Sequence, residues 1–289
     1  RWNVDNVSDF LNMFVSSTAM LSTYSGVSGI GNTPSASFFD STAPTLSSVS
    51  IASNNSTTTQ AIADDVVTLT LTASETISTP VVTFTSGGAA ITDTSVTYTN
   101  TSGNTWTAAY TANASDTSGA VSYSIAFNDT AGNAGTAVTS GSGSVTFDTT
   151  APTMTITASE VTDGGISNDT TLLLTFTSSE ATSDFVKTDI TVVGGSLGDL
   201  SGSGTTYTAT FTPTASGATT IDVASGAFTD TAGNNSTAAT QFNWTYDSTA
   251  PTTTITAAAE DAGDTSDDAT LSLTFTSSEA TSDFVKTDI

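Results

Sequence analysis

Apolar and polar residues alternate with a period of two along many short stretches of this chain. From residue 154 to 246 the apolar members are Met154, Ile156 and Ala158; Leu172, Leu174 and Phe176; Ile190 and Val192; Tyr207, Ala209 and Phe211; Ile221 and Val223; and Phe242, Trp244 and Tyr246. Threonine fills most of the positions between them, so each stretch reads as a strand with one face inward and one face wet. Clusters of Gly, Asn, Asp and Ser separate the stretches and supply the turns. Residues 40–147 follow the same plan through Val49 and Ile51; Val67, Leu69 and Leu71; Val82 and Phe84; Trp106, Ala108 and Tyr110; Tyr123, Ile125 and Phe127; and Val145 and Phe147.

The two series belong to a repeat. A D-S/T-T-A-P-T hexapeptide begins at Asp40, Asp148 and Asp247, spacings of 108 and 99 residues. The segment Leu174–Ile190 recurs without a change as Leu273–Ile289, again 99 residues on. These periods are single-sandwich lengths, and about seven short strands in ~100 residues predict immunoglobulin-like antiparallel β-sandwiches. The chain is therefore expected to be all-β, with repeats at 40–147 and 148–246, the start of a third at 247–289 and a short non-sandwich segment at 1–39. The opening residue is Arg1, with no charged leader and apolar core behind it. We expect a segment whose natural ends lie elsewhere.

Composition narrows the chemistry. The 289 residues include no His and no Cys, and 28 Asp plus Glu face only Arg1, Lys187 and Lys286, for a formal charge of −25. Such a chain cannot build a His-dependent nucleophile, a thiolate or imidazole zinc site, or a redox pair. The charge also argues against nucleic acid and anionic membrane surfaces as partners. High charge alone would fit disorder, but the alternating apolar positions give the chain cores to bury. No stretch approaches the ~20 apolar residues of a membrane helix.

The succession T-A-P-T, then S-S-E-A-T-S-D-F-V-K-T-D-I-T-V-V-G-G-S-L, Y-T-A-T-F-T-P-T-A-S-G and F-T-D-T-A-G-N-N-S resembles the bacterial Ig-like repeat of large surface and adhesin proteins, over residues 40–289. The first repeat departs after Glu75, where S-E-T-I-S-T-P replaces the element containing S-D-F. Residues 1–39, with W-N-V-D-N-V-S-D-F-L-N-M-F, resemble the last unit of the short surface repeats of bacterial and mycoplasma-type lipoproteins. A local helix or turn packing Trp2, Phe10, Met13 and Phe14 on the first sandwich is the alternative reading.

In this topology the chain enters at one end, the second strand returns there, and so does the loop before the last strand. Acidic residues distant in sequence should therefore meet. The candidates are Asp148, Glu180, Asp184, Asp230 and Asn234 in the second repeat; Asp40, Glu75, Asp129 and Asn133 in the first; and Asp247, Glu279 and Asp283 in the third. Carboxylates ~5 Å apart repel by roughly 3 kcal/mol per pair at an effective dielectric of ~20. Hard oxygen donors of this kind suit structural calcium, which takes six to eight flexible contacts. The plainer reading is a set of solvated loop acids with Asx turns at Asp129 and Asp230. A glycosidase carboxylate pair would be expected once and in a cleft, not at every repeat junction. Thr-x-Thr runs such as Thr206–Thr212 raise ice binding, against the simpler reading of a wet strand face.

The resemblance implies a non-catalytic extender on the bacterial cell surface or outside the cell, with neighbouring repeats of the same chain as partners. Two other readings are a module that binds a surface glycan or cell-surface protein, and accessory domains of a secreted hydrolase. Sugar recognition would need exposed aromatics on one face, whereas Trp106, Trp244 and most Tyr fall on the inward phase.

Overall fold

A computed structural model describes residues 40–258, 262–263, 265, 267 and 269–289; the expectations for residues 1–39 lie outside it. The described residues form nineteen strands: β1 Leu46–Ser53, β2 Gln60–Ala61, β3 Val66–Ala73, β4 Val81–Ser86, β5 Ala89–Ala90, β6 Thr97–Ser102, β7 Thr105–Thr111, β8 Gly119–Ala126, β9 Thr146–Phe147, β10 Met154–Ala158, β11 Gly165–Ser167, β12 Leu172–Thr182, β13 Ile190–Val193, β14 Gly195–Leu197, β15 Ser201–Pro213, β16 Gly217–Val223, β17 Phe242–Tyr246, β18 Thr253–Ala257 and β19 Leu273–Ser277.

The first two sheets are ordered β1-β3-β7-β6 and β2-β9-β8-β4-β5. Their inner faces carry the alternating residues read from the sequence. Val49 and Ile51, Leu69 and Leu71, Phe84, Ile125, Val145 and Phe147 join one buried cluster, with Trp106 packed partly buried against it. The next pair, β10-β12-β15-β14 and β11-β17-β16-β13, repeats this order without a counterpart of the edge strand β5. Leu172, Leu174, Phe176, Phe211, Ile221 and Trp244 are buried in it, and Phe211 meets Trp244 edge-on at 6.3 Å between ring centres. The chain is all-β, of tandem immunoglobulin-like sandwiches.

Two pairings are parallel where antiparallel strands were expected throughout: β2 with β9 and β11 with β17. Seven strands that alternate in direction leave the first and last pointing the same way. When the chain crosses from the first sheet to the second after β1 or β10, its short continuation meets the last strand in parallel.

Strands β18 and β19 pair antiparallel, Ile255 opposite Phe275. The chain divides into two compact units. The first runs to Thr153 and also takes in Ser178–Phe185 and Ser225–Ala238; the second holds Met154–Thr177, Val186–Ala224 and Ala239–Ile289.

Candidate metal centres

The entry hexapeptide has one local structure in all three copies. The Asp carboxylate accepts the N–H two residues on, from Thr42 to Asp40 at 2.9 Å, Thr150 to Asp148 at 2.9 Å and Thr249 to Asp247 at 3.0 Å. This is an Asx turn, encoded by neighbours in sequence. The same segment is then tied to the end of the second strand. Thr45 N–H donates to Ser74 Oγ at 3.0 Å, Thr153 to Ser179 at 2.9 Å and Thr252 to Ser278 at 2.9 Å. Each Ser N–H donates back to the Thr carbonyl. The residue after each of these serines is Glu75, Glu180 or Glu279. In the first two copies the Ser-Glu pair thus brings a glutamate beside the entry aspartate.

The third contributor is the D-T-A-G-N turn. Asp230 Oδ1 accepts the N–H groups of Ala232, Gly233 and Asn234 at 2.8, 2.7 and 3.0 Å. Gly233 has φ of 103°, a conformation that needs glycine. Asp129 accepts Asn133 N–H at 2.8 Å in the equivalent turn.

Three carboxylates therefore converge in each of the first two repeats. One oxygen from each of Asp40, Glu75 and Asp129 lies within 4.8 Å of the others, and the same holds for Asp148, Glu180 and Asp230. Asp129 and Asp230 are buried and the other four half-buried. Each trio lies within the first compact unit. Burial raises Glu180 above its ordinary value, and the charges of Asp148 and Asp230 raise it further. Glu75 is raised by burial and by Asp40 and Asp129. Burial pushes Asp129 upward too, but hydrogen bonds from Asn133, Gly132 and Ala131 outweigh it and hold it low. Each trio offers hard oxygens with no cationic side chain among them, a donor set that fits a cation of the calcium class.

Other candidates take different positions. Asp184 stands outside the trio: it accepts Thr182 Oγ1 at 2.6 Å and Thr229 Oγ1 at 2.8 Å, as well as Thr229 N–H. Burial raises it, and these hydrogen bonds outweigh that and leave it below its ordinary value. Its role in this geometry is to pin the loop that leads into Asp230. Asn234 and Asn133 donate their side-chain amides to Asp230 at 2.9 Å and Asp129 at 2.7 Å, so they orient those carboxylates. Asn133 also donates to the Asp40 carbonyl at 2.9 Å, joining loop and entry.

The first repeat assembles its trio without the S-D-F element. There Ile77 bridges to Asp129, and Ser78 N–H donates to the Asn128 carbonyl at 2.9 Å. Among the described residues Asp247, Glu279 and Asp283 form no third trio. The Ser-Glu tie and the Thr182–Asp184–Thr229 link escaped the sequence reading. The threefold recurrence of Ser-Glu behind T-A-P-T was the available signal for the first.

Residues 148–246 match the model of a bacterial Ig-like domain. No curated protein matches the chain. Among solved structures it is similar to InvD of Yersinia pseudotuberculosis, with 20% identity, 74% of this chain and 62% of that one covered, and a TM-score of 0.35. It is also similar to an I-band fragment of titin, with 10% identity, 82% and 77% covered, and a TM-score of 0.34. The chain thus spans less than two thirds of the InvD structure.

Proposed function

We propose that this chain is a non-catalytic extender from a bacterial cell-surface or secreted adhesin-like protein, with calcium bound where one repeat passes into the next. Its units are the repeats 40–147 and 148–246, with 247–289 opening a third. The observation that carries this reading is the recurrence of one three-carboxylate set, from the same three sequence elements, in two consecutive repeats. Asp148 directly follows Phe147 of β9 and opens the next repeat, so a cation held by it ties the end of one repeat to the start of another. The calcium ligands in this proposal are Asp40, Glu75 and Asp129, and Asp148, Glu180 and Asp230.

Aromatic placement favours the extender over a glycan-binding module. Stacking on sugars needs exposed rings, and among the described residues of 46–246 the exposed large hydrophobics are aliphatic: Val81, Ile166, Leu173, Val186 and Val193. Recurrence also favours a structural role over hydrolysis, which needs one acid pair in one cleft.

Small-angle scattering on the chain, in millimolar calcium and in chelator, tests the proposal, since extracellular calcium modules bind at ~10⁻⁴ to 10⁻³ M. A longer, narrower particle with calcium is the expected result. Superimposable profiles, with no heat of calcium binding by calorimetry, would overturn it.

A further inference from the structure

The D-T-A-G-N turn occurs twice with the same sequence and the same internal hydrogen bonds, yet its alanine has two environments. Ala131 is exposed, whereas Ala232 is 2% exposed. Within the first compact unit, the side chain of Asn55 accounts for part of the difference. Asn55 Nδ2 donates to the Ala232 carbonyl at 2.9 Å and to Asp65 Oδ2 at 2.8 Å. Ile62 stands beside it: a Cβ placed on Gly233 would lie 3.8 Å from its Cδ1.

Asn55 is held ready for this contact by its own loop. Its N–H donates to Ser53 Oγ at 3.1 Å, and its Oδ1 accepts Thr57 N–H at 2.9 Å and Ser56 Oγ at 3.3 Å. Asp65 Oδ2 also accepts Ile62 N–H at 2.8 Å, which fixes the carboxylate that shares the amide. The oxygen of Asn55 is therefore committed to its loop and both amide hydrogens point outward, one to Asp65 and one to Ala232. On the other side, Asp230 sets the turn by gathering the N–H groups of Ala232, Gly233 and Asn234, which leaves the Ala232 carbonyl to accept from Asn55. Two rigid pieces meet, so little side-chain freedom is lost when they dock.

We propose that the Ser53–Asp65 loop is a docking surface for the D-T-A-G-N turn of the following repeat, with Asn55 as its latch, and that it holds the turn with no metal present. The bond itself joins a neutral amide to a backbone carbonyl, so the latch requires no bound cation, although Asp230, which sets the turn, is shared with the proposed calcium site.

The chain has no cysteine, so Ser122→Cys and Thr210→Cys, both on exposed strand positions, take spin labels without interference. Electron–electron distance distributions in chelator then compare the native loop with Asn55→Asp and Asn55→Ala. Asn55→Asp keeps the acceptor for Thr57 and replaces the donor with a charge facing Asp65 and a carbonyl. The expected result is a broader and shifted distribution for Asn55→Asp, and a smaller broadening for Asn55→Ala. Superimposable distributions for all three would overturn the latch. If both variants lose the first sandwich's melting transition, exchange of the Asn55 side-chain amide protons in the native-loop chain decides. Protection in chelator supports the latch, and free-solution rates overturn it. The same labels in calcium read the other proposal separately: a latch seen in chelator together with no calcium response would leave this inference standing and remove the calcium junction.

Discussion

Glu180→Gln removes one charge from the second trio with almost no change in side-chain size. Its two partners, Asp148 and Asp230, each place a carboxylate oxygen within 4.8 Å. Unit charges at that separation repel by about 1 kcal/mol in water and about 3.5 kcal/mol at an effective dielectric of 20. Asp148 and Glu180 are half-buried, so screening draws the figure toward the water limit. Loss of two repulsive pairs should then stabilise the metal-free sandwich by on the order of 1–2 kcal/mol, a rise in Tm of about 5–15 °C. Calcium bound at the proposed site should reverse the order. At a free concentration 100 times Kd, one site adds about 2.7 kcal/mol, or roughly 10–20 °C for a ~100-residue domain. The variant should lose most of that gain. Scanning calorimetry in chelator and in millimolar calcium should therefore give melting curves that cross, with Glu180→Gln above the native chain in chelator and below it in calcium. A variant that melts at or below the native temperature in chelator would refute the repulsion argument, and an equal calcium gain in both would remove Glu180 from the site. Asp184→Asn supplies the contrast. Its carboxylate accepts hydrogen bonds from Thr182 and Thr229, so the variant should melt lower in both conditions, by about 1–3 kcal/mol. Asp199→Asn, at a fully exposed position with a lone contact to Lys187, should change neither.

Two further outcomes follow from the same contacts. In chelator the melting temperature should rise as the pH is lowered from neutral toward the carboxylate range, because Glu75 and Glu180 are raised above their ordinary 4.5 and the folded state takes up their protons first. Below the ordinary 3.8 of aspartate it should fall again, as Asp129 and Asp184, both held low, are protonated and their hydrogen bonds weaken; a monotonic profile over this range would contradict the assignment. Leu174→Ala and Leu273→Ala change the same residue of the duplicated segment, with Leu174 0% exposed and Leu273 50% exposed. Chemical denaturation followed by Trp244 fluorescence should show a loss of about 3–5 kcal/mol for the first and under about 0.5 kcal/mol for the second, and comparable losses would be inconsistent with this packing.

The duplicated seventeen residues separate what lies in the sequence from what does not. In both copies Leu-Thr-Phe-Thr-Ser is strand, and the Lys-Thr-Asp turn closes with a carboxylate accepting an N–H three residues before it, Val186 to Asp189 at 2.7 Å and Val285 to Asp288 at 2.8 Å. The backbone of Val186 and Val285 agrees within 2°. Alternation, Asx turns and capping contacts involve residues two to four apart, so they form wherever the sequence occurs. The inward phase of the strands and the sandwich class were legible for the same reason. Burial is another matter: Phe185 is 3% exposed and its twin Phe284 44%, because Phe228 covers the first. That cover comes from a segment some forty residues further along, and no local pattern carries it.

The candidate metal centres divide along the same line. Asp148, Glu180 and Asp230 were readable as a set because the order of strands in this fold returns all three segments to one end of the sandwich. Which of the neighbouring oxygens turn inward was decided by tertiary contacts. Thr229, 45 residues from Asp184, draws that carboxylate away from the trio, and Asn234 turns its amide onto Asp230. The parallel pairing of β2 with β9 and the contact of Asn55 with Ala232, 177 residues away, likewise appear only when distant segments are brought together. Periodicity and spacing determine which face of a strand is inward and which turns form. The destination of each polar atom depends on partners that only the assembled chain supplies.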